Sequence, residues 1–351
     1  MSMRQLLAIA FTIATLNLAW PDPSYSQPRF FDGKTITIVQ GRGPGGAGDL
    51  RVRALVPFLK KYIPGEPTIV SEYMSGAGGR KAANYIFKSA KPDGLTIGNI
   101  GGGLVTSAVL GATGVEYDLD RFILLGSTNT TQHYVFFTNK SAGLDSVEKL
   151  RAAAGVRIGS REVGDQFYTA GRLFAYLLGI REPKFVLGYT GAELYTAMER
   201  KEFDARAHVV DVLLQQRPEW IKKGLLDFHG IIEIPKGLKD SHFGQLPELE
   251  GFAKSDKERK TLALFRGLRV FGTPYLLPPG TPQERAQILQ EAFRKTFNDP
   301  AFAKEFNKLT GEDPHPLGAD AMQKSLKELP REPEIISLYK EIAGVKPLPP
   351  R

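Results

Sequence analysis

Five glycines, Gly41, Gly43, Gly45, Gly46 and Gly48, stand between the alternating apolar run that starts at Ile36 and a helical pattern that begins around Asp49 and Leu50. A strand that feeds a glycine loop and then a helix is a way to hold an anion. Glycine lets the backbone approach a ligand closely, and the first N–H groups of a helix have no intrahelical partner. Gly41, Gly43 and Gly46 also satisfy G-x-G-x-x-G behind a strand, and Glu72 closes the next strand-like run, TIVSE, so a dinucleotide is one reading of the loop. Asp49 counts against it, because its carboxylate would lie beside the pyrophosphate.

The unit repeats. After TIVSE come Ser75, Gly76, Ala77, Gly78 and Gly79, then the helical RKAANYIFKSA, then a Pro92-Asp93-Gly94 turn into LTIGNI and the cluster Gly101, Gly102, Gly103. In an open α/β sheet such loops gather at the carboxyl ends of the strands, where helix N-termini converge on one ligand. The elements that must position them alternate along the whole chain. Strand-like runs such as FILLG, HYVFF, VRIGS, KFVLGY and LRVFG are interleaved with helical stretches such as 167–178, 281–297 and 301–308. This is an α/β pattern, and about 325 residues beyond the leader exceed what one core serves, so two domains are expected.

The leader is itself legible. Met1 to Gln5 carries Arg4, Leu6 to Trp20 is almost wholly apolar, and Ser24 and Ser26 supply the small residues read by a signal peptidase, with cleavage expected after Ser26. The apolar run is about 15 residues, short of the roughly 20 that span a bilayer. The sequence has no cysteine, hence no disulfide, no thiol nucleophile and no lipid-bearing cysteine. Its five histidines show no ligand spacing, so no metal is expected. The net charge of +8 is dispersed rather than gathered into a basic helix, which with export argues against nucleic acid and leaves an anionic small molecule as a partner. There is no G-x-S-x-G, H-E-x-x-H or P-loop lysine motif, so catalysis is not expected. The KPLPPR tail is expected to be disordered or peripheral.

Taken in order, these motifs resemble the solute-binding receptors of the tripartite tricarboxylate transporter family, the Bug-type or TctC-like receptors. Gly41 to Asp49 falls on that family's P-F-x-x-G-G-x-x-D loop, Tyr73 to Gly79 on its R-P-G-A-G-G-x-x-G loop, and Pro92 to Ile97 on its P-D-G-Y-T-L turn. YDLDRFILLG (117–126), SVEKLRA, Tyr189-Thr190-Gly191, Phe203-Asp204-Ala205 and LLPPGTPQE (276–284) continue the match over nearly the whole chain beyond the leader.

The resemblance implies a periplasmic-binding-protein, Venus-flytrap fold: two α/β domains with a ligand cleft between them. Residues 1–26 would be the signal peptide, 27–129 and 269–351 the first domain, and 130–268 the second, with hinge strands near Gly126 to Thr130 and Arg269 to Thr273. It also implies a periplasmic monomer without cofactor that captures a small organic acid (a di- or tricarboxylate, an aromatic carboxylate or an acidic amino acid) and hands it to membrane permease subunits. A ligand-binding partner of a sensor kinase and, further off, a nucleotide-dependent enzyme are the alternatives. Gly45, Gly46 and the loop Ser75, Gly76, Ala77, Gly78 and Gly79 would offer backbone N–H donors to one carboxylate, with Gly102 and Thr128 nearby. Asp49 would either cap or brace the following helix or touch the ligand. Across the cleft, Ser160, Arg161, Asp165 and Gln166 and then Tyr189, Thr190 and Gly191 would close over the far end. Two departures from the family stand out. Arg42 replaces an aromatic residue and could pair with a ligand carboxylate or point to solvent at the cleft rim. Arg161, Glu162 and Asp165 replace small residues, so Arg161 could hold a second carboxylate while Asp165 could hold an amino group or cap a helix. His133 and Tyr134 could line the cleft or belong to the core.

Overall fold

The computed structural model describes residues 30–351 except 102, 131 and 190–192, so the expected signal peptide and its cleavage point lie outside the described residues. The first elements are β1 (Thr35–Gln40), α1 (Ala47–Tyr62), β2 (Thr68–Tyr73), α2 (Arg80–Lys88), β3 (Thr96–Asn99), α3 (Gly103–Val109) and β4 (Ile123–Ser127). They are followed by β5 (Tyr134–Asn139), α4 (Val147–Ala152), β6 (Arg157–Gly159), α5 (Gln166–Leu178), β7 (Lys184–Val186), α6 (Glu193–Glu199), β8 (Ala205–Val209), α7 (Val210–Gln216), α8 (Pro218–Lys222) and β9 (Leu226–Ile232). Then come α9 (Asp256–Val270), β10 (Pro274–Leu277), α10 (Gln283–Phe297), α11 (Pro300–Thr310), β11 (Leu317–Gly318), α12 (Ala319–Lys327) and α13 (Pro333–Ala343).

The strands form two sheets, as the alternating pattern predicts, except that LRVFG (268–272), expected as a strand, is the end of α9 and the turn after it. The first is six-stranded in the order β11-β4-β10-β3-β1-β2, with β1, β2 and β3 parallel and β10 inserted antiparallel between β3 and β4. Because β1, β2 and β3 run the same way, the loops that leave them emerge at one edge. The backbone ties those exits together: Gly41 N–H donates to Asn99 O at 3.0 Å and Met74 N–H to Gln40 O at 2.9 Å. The second sheet is five-stranded, β7-β6-β8-β5-β9, with β6 parallel to β7 and β8, and β5 antiparallel to β8 and β9.

The chain passes from the first sheet to the second between Ser127 and Tyr134 and returns between α9 and β10. These two crossings are stitched to each other and to the loop before β11. The Ser127 and Thr128 hydroxyls lie 3.4 and 3.3 Å from Thr273 Oγ1, and Thr130 Oγ1 donates to His315 O at 2.8 Å. One apolar cluster faces the first sheet from α1, α10 and α11, and another fills the second sheet against α6, α7 and α8. The largest runs through both lobes, from Ile86 and Leu124 through Phe136 and Phe174 to Leu268, Met322 and Ile342.

The last helix is where packing departs from chain order. Instead of resting on the first sheet, α13 packs on α9 and α5 of the second lobe. Arg172, 2% exposed, donates to Ile342 O and, at 2.7 Å, to Lys346 O, while Tyr168 OH donates to Gly344 O at 2.7 Å. The tail expected to be peripheral is held down. Arg351 makes two hydrogen bonds to Glu258, at 2.8 and 3.1 Å, and donates to Leu177 O in the last turn of α5, where carbonyls lack helical partners.

Glu258 gives this anchor a pH dependence. Burial disfavours its charge, but hydrogen bonds from Arg351 and from Lys254 N–H outweigh that cost and hold its pKa below the ordinary value of 4.5. A carboxyl depressed in the native state stabilises above its unfolded pKa, and the contribution is lost as pH falls through the native one. The melting temperature is therefore expected to fall as pH drops below about 4.5, and Glu258→Gln, which never had this contribution, is expected to show a shallower acid limb in a series of melts between about pH 3 and 6.

Candidate functional site

The glycine loop is shaped by Asp49. The helix α1 begins at Ala47 with Gly46 as its N-cap and no side-chain cap, so Asp49 is a first-turn residue and not the cap. Its side chain is fully buried and all of its contacts are internal. Oδ1 accepts from Gln40 Nε2 at 2.9 Å and Tyr73 OH at 2.8 Å, and Oδ2 accepts from Gly45 N–H at 2.9 Å and pairs with Arg53 at 2.9 Å. Asp49 therefore braces the loop and is not free for a ligand. The same contact corrects the expectation for Gly45: its N–H points back to Asp49, which a φ of +82°, natural to glycine, makes possible. Gly46 is left as the exposed entry to α1, with uncapped helix amides behind it.

The second loop, Ser75 to Gly78, is exposed, and Gly79 is the N-cap of α2, again without a side-chain cap. It abuts α3 closely. A Cβ on Gly103 would stand 2.5 Å from Gly78 O, so only glycine lets the third loop approach the second. Arg42 is neither in open solvent nor in the cleft. Its guanidinium lies across Gly48, where a Cβ would fall within 1.6 Å of Nη1, and its Nη2 is buried without a hydrogen-bond partner. Burial pulls its pKa down; Tyr275 opposes that and Arg51 adds to it.

Between the lobes lies a cavity of about 710 Å³. Arg51, Gly103 and Thr106 line it from the first lobe, Arg161 to Gln166 from the second, and Asn129, Gln132, Arg269 and Gly272 from the crossings. Three arginines thus meet at one opening. The Nε atoms of Arg51, Arg161 and Arg269 are each buried with no partner, although the guanidinium of Arg51 pairs with Glu312 at 2.6 Å and that of Arg269 reaches Gln166 Oε1 at 3.5 Å. Such a wall can receive an oxyanion through charge-assisted hydrogen bonds.

On the second-lobe side, Asp165 acts as a cap: Oδ1 accepts from Phe167 N–H at 2.9 Å, and Oδ2 pairs with Arg161. That pairing leaves neither residue wholly free. Gln166 is held by Tyr134 OH at 3.1 Å. Tyr189 does not line the cavity; its hydroxyl donates to Glu202 at 2.8 Å and its ring packs on Phe203. Ser160 is buried behind the wall with its Oγ unpartnered, and Thr128 is buried in the crossing. Gly102, Thr190 and Gly191 lie outside the described residues. His133 and Tyr134 are core: His133 Nδ1 accepts from Ile234 N–H at 2.9 Å, and Tyr134 is fully buried.

Of the residues expected at the ligand, Arg161, Asp165 and Gln166 line the cavity, whereas Arg42, the first two glycine loops, Ser160 and Tyr189 do not; the third glycine cluster reaches it through Gly103. Arg51, Asn129, Gln132 and Arg269 escaped sequence reasoning as contacts. The available signal was positional: crossings in a two-lobed protein form the cleft floor, and Arg51 follows Asp49 in the helix that the loop opens. Among the described residues no cluster could hold a metal ion and no helix is long and apolar enough to cross a membrane.

Two α/β lobes joined by crossings, with a cavity between them, define the fold of the two-domain periplasmic solute-binding proteins. Within that class the chain has the fold of the TctC and Bug-type proteins. It superposes on a TctC solute-binding protein from Polaromonas with a TM-score of 0.64 and 18% identity, covering 88% of this chain and 97% of that one. BugD, a periplasmic binding protein, gives 0.53 at 18% identity with 88% and 97% covered, and MatC from Rhodopseudomonas palustris, solved with bound malate, 0.52 at 18% with 89% and 99%. No protein-family model and no curated protein sequence matches the chain.

Proposed function

We propose that the chain is an extracytoplasmic solute-binding receptor of the tripartite tricarboxylate transporter type, exported by its leader, that closes on a small carboxylate and delivers it to membrane permease subunits. The hinge is the pair of crossing segments near 127–130 and 269–273, which divides the chain into the lobes 27–129 with 269–351, and 130–268, with α13 and the tail, though counted with the first lobe, resting on the second. The observation that carries this reading is the cavity walled by Arg51, Arg161 and Arg269, each with a buried Nε that has no partner. Guanidinium groups that are already paired through Glu312, Asp165 and Gln166 still have N–H donors to offer an oxyanion that enters between them. Support also comes from α1, which opens at Gly46 without a side-chain cap and carries Arg51 to the cavity, and from malate being the ligand of one protein with this fold.

A thermal-shift panel of mono-, di- and tricarboxylates with NAD as the contrasting ligand tests the reading. A binding acid at about 100 times its Kd adds about 2.7 kcal/mol to the folded state, enough for a clear upward shift. Arg51→Ala is expected to weaken that acid by roughly 10-fold or more, since it removes a partly buried charge partner. Stabilisation by NAD alone, or by nothing in the panel, would refute it.

A further inference from the structure

Arg51 meets the cavity already holding an anion of its own chain. Glu312 lies in the loop between α11 and β11, and its Oε2 accepts from Arg51 Nη2 at 2.6 Å and from Asn129 Nδ2 at 3.1 Å. The Arg51 side chain is 15% exposed and that of Glu312 37%, so the pair is drawn partly out of water and its charges act on each other strongly. Arg51 and Asn129 line the cavity between the lobes. Glu312 lines a second cavity of about 430 Å³, which shares Asn129 and Gln132 with the first.

The Glu312 carboxylate is placed by its surroundings. Its own N–H donates to Thr310 Oγ1 at 3.2 Å, and that hydroxyl donates to Phe306 O at 2.7 Å in the last turns of α11. The loop is tied to the first crossing, where Thr130 N–H donates to His315 O at 3.0 Å and His315 N–H to Thr128 O at 3.1 Å. It is also tied to the second lobe, where Gln215 Nε2 on α7 donates to Gly311 O at 2.8 Å.

Such a partner has two opposed effects on an acid that enters the cavity. As an acceptor, Glu312 fixes one arm of the Arg51 fork and so directs the remaining N–H groups, among them the buried Nε that has no partner. As a charge, it repels any second carboxylate brought to the same guanidinium, and like charges held close cost affinity.

We propose that Glu312 is a positioning residue that sets how tightly the cleft holds carboxylates, orienting Arg51 through its acceptor oxygen while its negative charge keeps the affinity down. This rests on the carboxylate-receptor reading and adds what limits binding there. A receptor that must hand its acid on is served by such a limit.

The test separates the oxygen from the charge. Succinate, malate and adipate are titrated calorimetrically into the wild type, Glu312→Gln, Glu312→Ala, Arg51→Ala and the double variant Arg51→Ala with Glu312→Gln. Glutamine keeps an acceptor for Arg51 and loses the charge, so Glu312→Gln is expected to bind the acid that the wild type binds about 5-fold or more tightly than the wild type does. Glu312→Ala loses both and is expected to bind at least about 5-fold more weakly than Glu312→Gln. In the Arg51→Ala background, Glu312→Gln is expected to change the affinity by less than about 2-fold, because its effect runs through Arg51. The ligand-free melting temperature of Glu312→Gln is expected to fall, since Arg51 loses its counter-ion, so stability and affinity move in opposite directions. A merely structural residue would lower both. Affinity in Glu312→Gln equal to or below that of the wild type overturns the inference, as does equal affinity in the glutamine and alanine variants, or a gain that persists without Arg51. Each of those results leaves the receptor reading standing; binding of no acid by the wild type or by Glu312→Gln overturns both.

Discussion

Asp49→Ala is expected to lower stability by about 2–4 kcal/mol and acid affinity by roughly 100-fold, because it leaves donors without acceptors at the first turn of α1, the helix that carries Arg51 to the cavity. Four groups converge on this one carboxylate: Gln40 Nε2, Tyr73 OH, Gly45 N–H and Arg53. Gln40 is fully buried and retains only Ser71 Oγ, at 3.2 Å, once Asp49 is gone. Gly45 loses the contact that folds the glycine loop back on the start of α1. Burial works against the Asp49 charge, but the Gly45, Gln40 and Tyr73 hydrogen bonds and Arg53 prevail and hold the carboxyl below its ordinary pKa, so the brace is ionised at neutral pH. An anion in the first turn also suits the helix dipole. Asp49→Asn keeps the shape but turns one oxygen into a donor that faces other donors, so it is expected to recover only a minor part of the loss. Melting curves and titration with the best acid of the panel decide the matter. A shift of roughly 5 °C or more with collapsed affinity is the expected outcome. Unchanged affinity in Asp49→Ala would mean that the loop keeps its shape without the brace.

Arg172→Met is the second large effect, about 2–4 kcal/mol, from a residue far from the cleft. Its guanidinium, 2% exposed, is the clasp between α5 and the last turn of α13 with the chain that follows it, reaching Ile342 O and Lys346 O and lying 4.8 Å from the Phe185 ring. Methionine fills similar volume but leaves two carbonyls unpaired. Arg172→Lys is expected to rescue poorly, since a single ammonium cannot span two carbonyls in the way the planar fork does. The distinguishing measurement is limited proteolysis: residues 333–351 are expected to become cleavable in Arg172→Met well before the rest of the chain. Equal protection in wild type and variant would show that the apolar contacts of Ile335, Leu338 and Ile342 suffice.

Much of the first lobe could be read from single segments. The alternation of Ile36 and Ile38, the glycines after them and the aspartate three positions into the helix are a local grammar, and the structure has β1, the loop and α1 in that order. The capping role of Asp165 was likewise one of the readings open to the sequence, because an N-cap acts on amides only two or three residues away. Reading failed where a side chain had a choice of distant partners. Tyr189 was expected to close over a ligand, yet Glu202 takes its hydroxyl. Arg42 had two expected directions, toward ligand or toward solvent, and follows neither, because Gly48 leaves room for its guanidinium beneath the loop.

By itself, the sequence determined the alternation of strands and helices and the glycine loops, since each of these depends on backbone freedom and hydrogen bonds within a few residues; that Asp49 braces its loop also took Tyr73, 24 positions on. Only the tertiary structure decided that Arg51, Arg161 and Arg269 share one cavity and that α13 rests on the second lobe. Those meetings join segments up to about two hundred residues apart. They are fixed by how two sheets and their helices bury apolar surface together, and no local pattern encodes that sum.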